Sequence, residues 1–398
     1  MHMRRAFLTP LAATLFSAAS SQATIEPPPV TDARNTALGG TGVAYTHNGA
    51  ALFHNPAGLA GIEQGALTLS ISPLASWISA PLAQPNVSED STTSLFPMFL
   101  VGGGYRVADD WVVGMAVYPT VGFGASYKDV AALGGAEMSS GAAMFEASPG
   151  VSYSITDDVA LGLSYRATYM TQTVKTPVPA PTEQELSGFS FLGAQLGLWA
   201  RVAEQTRLGV AYRSKVTVDL SGTTTTGGAD YDTESKFSSP HQFKLGIAQG
   251  LLEEKLLLAL DLRYSLYKKS NQNQTITMTV PGVGDQAQIV QLDWKNTFTA
   301  ATGVEYRFAP DGVAVRLGYS LSQSATPKDR PQPFFLPPGF MHSIHTGVGT
   351  TLSNLDLDLG GYYGWSKKTV DSPAEDTIAP GTYKAHFATV AISGTYRM

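Results

Sequence analysis

The sequence predicts an all-β protein, a transmembrane antiparallel β-barrel of about 14 strands with an N-terminal hatch folded into its lumen. Three observations predict it. The chain of 398 residues carries long runs in which apolar and polar residues alternate, the period of a strand with two unlike faces. The connections between these runs are short and long by turns, as in outer-membrane barrels. Only 15% of residues are charged, below the roughly one quarter usual in soluble proteins. No internal run of roughly 20 apolar residues exists to cross a bilayer as a helix.

The first element is a secretory signal over residues 1–23. Arg4 and Arg5 give a charged start, Ala6 to Ala19 a short apolar run, and Ser21-Gln22-Ala23 a small-x-small cleavage site. The mature chain is expected to begin at Thr24 and to pass through the periplasm. Its lack of cysteine fits that oxidising route and removes thiol catalysis and Cys-based metal sites.

Residues 24–64 form the second element. They open on Pro27-Pro28-Pro29 and are rich in Gly and Ala without sustained alternation. Too apolar to float free, they are expected to fold into the lumen as a plug. Asn55-Pro56-Ala57 lies near their end, where Asx chemistry favours a tight turn.

Residues 65–398 form the barrel. In Leu256–Tyr267 the even positions are Leu256, Leu258, Leu260, Leu262, Tyr264 and Leu266, while Asp261 and Arg263 fall on the other face. In Arg207–Ser221, Leu208, Val210, Tyr212, Val216, Val218 and Leu220 are read as one apolar face against Arg207, Arg213, Lys215 and Asp219. Leu355, Leu357, Leu359, Tyr363 and Trp365 likewise alternate with Asp356 and Asp358. Aromatic residues near strand ends, Tyr264 with Tyr267 and Tyr363 with Trp365, suit an interfacial girdle. An apolar exterior satisfies every backbone group in lipid only if the sheet closes. Short turns fall at 108–110, 156–158, 203–205, 252–254, 309–312 and 353–354, and long loops near 80–91, 128–142, 176–186, 222–235, 270–288, 324–337 and 368–381. This places both termini in the periplasm. The last strand, Tyr383 to Met398, ends in Met398, where barrels usually end in an aromatic residue read by the assembly machinery.

Two stretches break the pattern. The third strand, Trp111 to Tyr127, contains Pro119, Gly122 and Gly124. Proline removes a ladder donor and glycine marks bulges, so this is a local failure of strand pairing or a plain bend. Phe334, Phe335, Leu336, Phe340 and Met341 form an apolar stretch in and after a long loop. It serves either hydrophobic ligand capture or the packing of that loop on its neighbour. Leu95, Phe96, Met98 and Phe99 are a second wall or a lipid-facing surface. Arg166, Lys175, Lys215 and Lys295 are candidate inward cations, each either one side of a lumen ion pair or a partner for an acidic ligand.

Several function classes are excluded. A net charge of −6 offers no basic field for nucleic acid. No Gly-x-Ser-x-Gly and no His-Glu-x-x-His occurs. His342 and His345 are three apart, on opposite faces of a strand and so a poor metal pair. His47 and His54 are isolated, and the glycines at 102–104 and 282–284 lack the strand–helix setting of a phosphate loop. No catalytic residue, metal or cofactor is expected.

The lead Ala33 to Ala44, followed by Phe53-His54-Asn55-Pro56-Ala57-Gly58-Leu59, resembles the N-terminal hatch of the FadL/TodX family of outer-membrane transporters, which carries an Asn-Pro-Ala motif. Tyr212-Arg213-Ser214-Lys215-Val216 through Leu220-Ser221-Gly222 is similar to a family strand. So are Trp294-Lys295-Asn296-Thr297 with Gly303-Val304-Glu305-Tyr306, and Arg316-Leu317-Gly318-Tyr319 followed by Pro327 and Leu336-Pro337. The resemblance implies a monomer that takes long-chain fatty acids or other hydrophobic compounds passively into the cell envelope. Ligand would be captured at external loops, released by a hatch rearrangement, and passed sideways through a kinked third strand into the bilayer, with Pro119, Gly122 and Gly124 the candidate lateral opening. The implied surroundings are outer-membrane lipid, lipopolysaccharide and the barrel assembly machinery of a Gram-negative bacterium. A general porin and a non-transport envelope-assembly barrel stay open beside this reading, and an outer-membrane lipase is disfavoured.

Overall fold

In lipid a sheet edge would leave backbone groups without partners, so an alternating chain of this kind must close on itself. A computed structural model describes residues 31–82, 84–177, 180–309, 311–374 and 378–398. The expected signal, residues 1–23, lies outside the described residues. One antiparallel sheet of 21 strand segments forms fourteen staves. β1 (Gly65–Ile71) and β2 (Leu74–Pro81) make the first stave, with β3 (Ser88–Asp90) beside β2. β4 (Ser94–Phe96) and β5 (Phe99–Ala108) make the second. β6 (Trp111–Val130), β7 (Ala136–Thr156), β8 (Val159–Thr176) and β9 (Thr182–Ala203) are the third to sixth. β10 (Thr206–Arg213) with β11 (Val216–Thr226) and β12 (Ala229–Ser239) with β13 (Gln242–Leu251) are the seventh and eighth. β14 (Leu256–Ser265) with β15 (Asn273–Val280) and β16 (Gly284–Gln291) with β17 (Thr297–Arg307) are the ninth and tenth. β18 (Ala314–Gln323), β19 (Phe340–Leu352), β20 (Leu355–Val370) and β21 (Gly381–Arg397) complete the wall. Closure runs through β1, where Leu69 is opposite Val101 of β5 and Leu67 is opposite Tyr396 of β21.

The outer face carries exposed Leu69, Leu161, Leu260, Leu317, Leu359 and Ile392, the side chains that lipid tails would cover. Aromatic residues bound this belt at both ends. Tyr105, Trp111, Tyr153, Tyr306 and Tyr396 lie at the short-turn end, and Tyr212, Tyr264, Tyr319, Tyr363 and Trp365 lie toward the long-loop end. On β21 the two rows are marked by His386 and Tyr396. Ten residues at ~3.3 Å each, tilted by ~40°, give a band ~25 Å tall, the height of an outer-membrane barrel's apolar belt.

Several expectations need correction. Residues 128–142, 222–235 and 270–288 are not long loops but strand hairpins with tight ends, because β6–β7, β11–β12 and β15–β16 continue their ladders beyond the lipid belt. Residues 223–226 are four threonines, which fit a strand with water on its outer side. Leu208, Val210 and Tyr212 point out as expected, but Val216, Val218 and Leu220 are buried inside. The two-residue break at Ser214-Lys215 shifts the alternation by one, and such a shift turns every later side chain to the other face. On the first stave the break at Ser72-Pro73 preserves the alternation, with Ile71 outside and Leu74 inside. Tyr267 also departs from the expected girdle. It is buried and packs edge-on against Trp294.

Residues 31–62 fill the short-turn half of the lumen. α1 (Ala33–Ala37) starts at Asp32, whose Oδ1 accepts from the Asn35 amide at 2.7 Å. This is ordinary N-capping. α2 (Ala51–His54) is followed by a 3-10 helix over Pro56–Gly61, with Asn55 as its N-cap and Pro56 in the first turn. Proline suits that position because its fixed φ is helical and its missing N–H would have had no partner there.

Candidate functional site

The lumen has three levels, set by which side chains the staves turn inward. The lowest is a socket of glycines. An added Cβ at Gly162 would lie 2.1 Å from the Ala57 amide, at Gly197 2.0 Å from Asn55 Oδ1, and at Gly318 2.2 Å from the Gly39 amide. The wall lacks side chains where the hatch backbone presses on it. Asn55 Oδ1 accepts from the Ala57 amide at 3.1 Å, while Nδ2 donates to the Val43 and Leu198 carbonyls at 3.0 and 2.9 Å. Asn55-Pro56-Ala57 is thus a turn held in the hatch and pinned to the sixth stave. A larger residue at Ala57 would meet Gly162 and its neighbours.

The hatch is also tied by charge. The Arg34 guanidinium donates to both oxygens of Glu305, each at 2.9 Å. Asp261 Oδ2 accepts from the Gly42 and Val43 amides at 2.8 and 3.0 Å. Burial pushes the Asp32 carboxyl up to about 6. Burial also lowers His47 to about 4 and holds His54 well below the ordinary histidine range, so both are neutral at pH 7.

The second level is a buried charged belt. Glu146 takes Arg166 at 2.5 Å and Arg213 at 2.6 Å. Lys244 Nζ donates to the Phe53 carbonyl at 2.8 Å and lies 4.8 Å from the centre of that ring, and the Arg213 guanidinium lies 5.5 Å from it. Arg263 and Asp261 face the same side, around a cavity of about 30 Å³ shared with His54. Of the expected inward cations, only Arg166 is in this belt. Lys175 is exposed and pairs with Glu183 at 3.0 Å, Lys215 is part-exposed and Lys295 is exposed. Lys244 was missed because its segment, Gln242–Leu251, holds a single charge amid ordinary alternation.

The third level is apolar. Met144, Met170, Val216, Val218, Leu220, Phe237 and Trp294 face inward from the upper staves. Phe334, Phe335, Leu336 and Met341 join them and are at most 2% exposed, whereas Phe340 points outward and is 48% exposed. The segment between β18 and β19 therefore folds down into the barrel. Of the second apolar stretch, Met98 faces in and Leu95 faces out.

The third stave carries the irregularity. Its ladder to β7 slips between Pro119 and Val121, and the hydroxyl of the intervening Thr120 is buried without a partner. Gly124 has φ +157, and a Cβ there would lie 2.3 Å from the Ser140 carbonyl oxygen. The ladder to β5 ends at Val101↔Val117. β4, the next segment of the second stave, pairs with β2 instead. Among the described residues the third stave has no ladder partner on that side from Tyr118 to Ala125, before the single bridge Thr92↔Ser126. Pro119, Gly122 and Gly124 all lie in this unpaired stretch. Its inner side is covered by the apolar loop, with Phe335 against Phe123 at 5.2 Å and Phe334 against Tyr127 at 5.9 Å. At its lower end Tyr118 packs against Phe53 of the hatch at 5.2 Å. Two of the three sequence-predicted sets, the third-strand residues and the loop phenylalanines, are thus brought together. Asn55-Pro56-Ala57 lies apart, in the socket.

Residues 11–395 match the model of the outer membrane protein transport protein family (OmpP1/FadL/TodX). No curated protein matches the chain by sequence. Among solved structures, a FadL homologue of Pseudomonas aeruginosa is similar with TM-score 0.78 and 14% identity, over 93% of this chain and 98% of that one. The toluene transporter TbuX of Ralstonia pickettii matches with TM-score 0.72 and 18% identity, over 92% and 97%. The Pseudomonas putida toluene transporter TodX matches with TM-score 0.71 and 17% identity, over 91% and 96%.

Proposed function

Since the chain belongs to the OmpP1/FadL/TodX family of outer-membrane transport proteins, channels for hydrophobic compounds rather than enzymes, we propose that it carries long-chain fatty acids and releases them sideways through the third stave. The observation that carries this reading is the unpaired stretch from Tyr118 to Ala125. A cargo that gains about 0.8 kcal/mol for each CH₂ removed from water has no reason to enter the periplasm. A stretch of wall without ladder bonds between an apolar lumen and lipid would offer it an exit.

The acid end group is supported by the belt. Arg166, Arg213, Lys244 and Arg263 face the lumen there, against the carboxylates Glu146 and Asp261. A carboxylate lying on this floor would meet an excess of positive charge, with its chain among Met144, Met170 and Val218. Phe334, Phe335 and Leu336 occupy that space and would move aside as the ligand enters. The glycine socket supports a hatch that stays seated and blocks straight passage, which disfavours the general-porin reading.

The test staples the gap. The native chain has no cysteine, and a Cβ at Gly122 would lie 3.3 Å from Phe96 Cβ, close to disulfide reach. The variant Phe96→Cys/Gly122→Cys and the wild type are expressed in a Gram-negative host without its own fatty-acid channel, and uptake of labelled oleate and toluene is followed. Oleate uptake by wild type, lost on oxidation of the variant and restored by reductant, is the expected result. Full oleate uptake by the oxidised variant would overturn the lateral route. Uptake of toluene but not oleate would move the cargo to uncharged hydrocarbons.

A further inference from the structure

Three tyrosine–histidine pairs recur on the outer wall, all toward the long-loop end. Tyr212 meets His241 Nδ1 at 2.8 Å, Tyr319 meets His342 Nδ1 at 2.7 Å, and Tyr363 meets His386 Nδ1 at 2.7 Å. In each pair the two residues come from neighbouring staves. His241 Nδ1 also accepts from the Lys215 amide at 3.1 Å, which puts its ring proton on Nε2. Such a ring keeps an N–H free to turn outward at the lipid headgroup level.

Two of the pairs join a continuous row of stacked rings. Trp77 stacks on His386 at 5.7 Å and 7°, His386 on Tyr363 at 5.9 Å, Tyr363 on Trp365 at 5.9 Å, and Trp365 on His342 at 5.8 Å. Immediately above this row Lys367 and Lys384 stand directly opposite each other on β20 and β21. Like charges in that position repel. Among the described residues no carboxylate pairs with either. An open groove of about 500 Å³ runs beside Lys384, His386 and Trp77, and Asp90 is its one acidic side chain. Immediately below, Val390, Ile392 and Ile344 are exposed at 63%, 63% and 52%. The girdle at the short-turn end has Trp, Tyr and Phe, and among the described residues it contains no histidine.

We propose that the strip from Trp77 across His386 and Lys384 to Lys367 and His342 is a binding site for a phosphorylated glycolipid of the outer leaflet. The chemistry divides by height. Lys367 and Lys384 hold a phosphate, which relieves their mutual repulsion and forms charge-assisted hydrogen bonds. The flat ring row takes the sugar, with its apolar faces on the rings and its hydroxyls on the Nε2 atoms of His342 and His386, whose Nδ1 atoms meet tyrosine hydroxyls. The branched side chains below take the acyl tails. The difference between the two girdles is then a response to two leaflets of different chemistry, since a purely aromatic belt suffices for ordinary lipid. This site faces lipid and is independent of the transport route inside the barrel.

The test uses the full-length barrel in detergent and fluorescently labelled lipopolysaccharide. Wild type, Lys367→Gln/Lys384→Gln and Lys367→Gln alone are compared, with Lys236→Gln as a control for a cation elsewhere on the external surface. Folding is checked by heat-modifiable gel migration. Saturable binding to wild type is expected, weakened at least tenfold in the double variant, partly in the single variant, and unchanged in Lys236→Gln. Enzymatic removal of the glycolipid phosphates should weaken wild-type binding to the level of the double variant. Equal binding by wild type and both glutamine variants overturns the proposal, as does equal competition by phosphatidylglycerol, which would reduce the strip to a general anionic-lipid surface.

Discussion

Phe335, in the segment between β18 and β19, meets Phe123 of the third stave edge to face, with centroids 5.2 Å apart and planes at 72°. One ring belongs to the unpaired stretch of wall and the other to the segment that covers it from inside. An external segment and a wall irregularity far apart in sequence are thus one packing unit.

The first prediction follows from that contact. On the proposed lateral route for fatty acids, Phe335→Ala should speed release of bound oleate several-fold, because the ring covering the unpaired stretch is gone, while Phe335→Leu should keep most of the retention. Combined with Phe123→Ala in a double-mutant cycle, the pair should show a coupling of about 0.5–1.5 kcal/mol in thermal stability. Strict additivity would separate the loop from the gap.

The socket gives a second prediction. Gly162→Val should unseat the hatch, since even a Cβ there would lie 2.1 Å from the Ala57 amide. The variant barrel should stay folded but admit a large hydrophilic antibiotic, read as a lowered inhibitory concentration. Gly141→Ala should change nothing, because the nearest atoms to its Cβ would be 3.6 Å away.

A third prediction concerns the belt. Glu146 is the shared carboxylate of two buried guanidiniums, Arg166 and Arg213. Glu146→Gln leaves both without it and should cost about 3–5 kcal/mol in urea unfolding of the refolded barrel. Arg213→Met should cost less, because Arg166 remains to pair with Glu146. Equal losses would mean that the belt is not held through Glu146.

Much of this was legible in the sequence, for identifiable reasons. Period-two alternation fixed the outer face of β14, where Leu258, Leu260 and Tyr264 point out as read. Asn55-Pro56-Ala57 marked the hatch turn because asparagine caps and proline begins a helix. The apolar upper lumen was not legible. It depends on the one-residue slip at Ser214-Lys215, which leaves the visible alternation intact while turning Val216, Val218 and Leu220 inward. The tyrosine–histidine pairs were hidden for another reason. Each joins two neighbouring staves, and their register comes from the ladder rather than from local pattern. Pro119, Gly122 and Gly124 signalled an irregularity, but nothing local showed that Phe335, more than 200 residues later, covers it.

The last prediction concerns pH and the hatch. The Asp32 carboxyl is raised to about 6 in the folded protein from an ordinary value of 3.8, because burial disfavours its charge. Folding therefore favours the protonated form. The hold of the hatch is fullest below the unfolded value and weakens as pH rises through about 6, by a total on the order of 3 kcal/mol. His47 acts in the opposite sense. Its folded value of about 4 lies below 6.5, so its contribution is complete above 6.5 and is lost as pH falls toward 4. The two effects oppose each other in wild type, and Asp32→Asn separates them, since asparagine also serves as an N-cap. Hydrogen exchange at the hatch amides should show Asp32→Asn gaining protection relative to wild type as pH rises from 4 to 7.5. A difference that stays constant across that range would mean Asp32 carries its charge in the folded hatch without penalty.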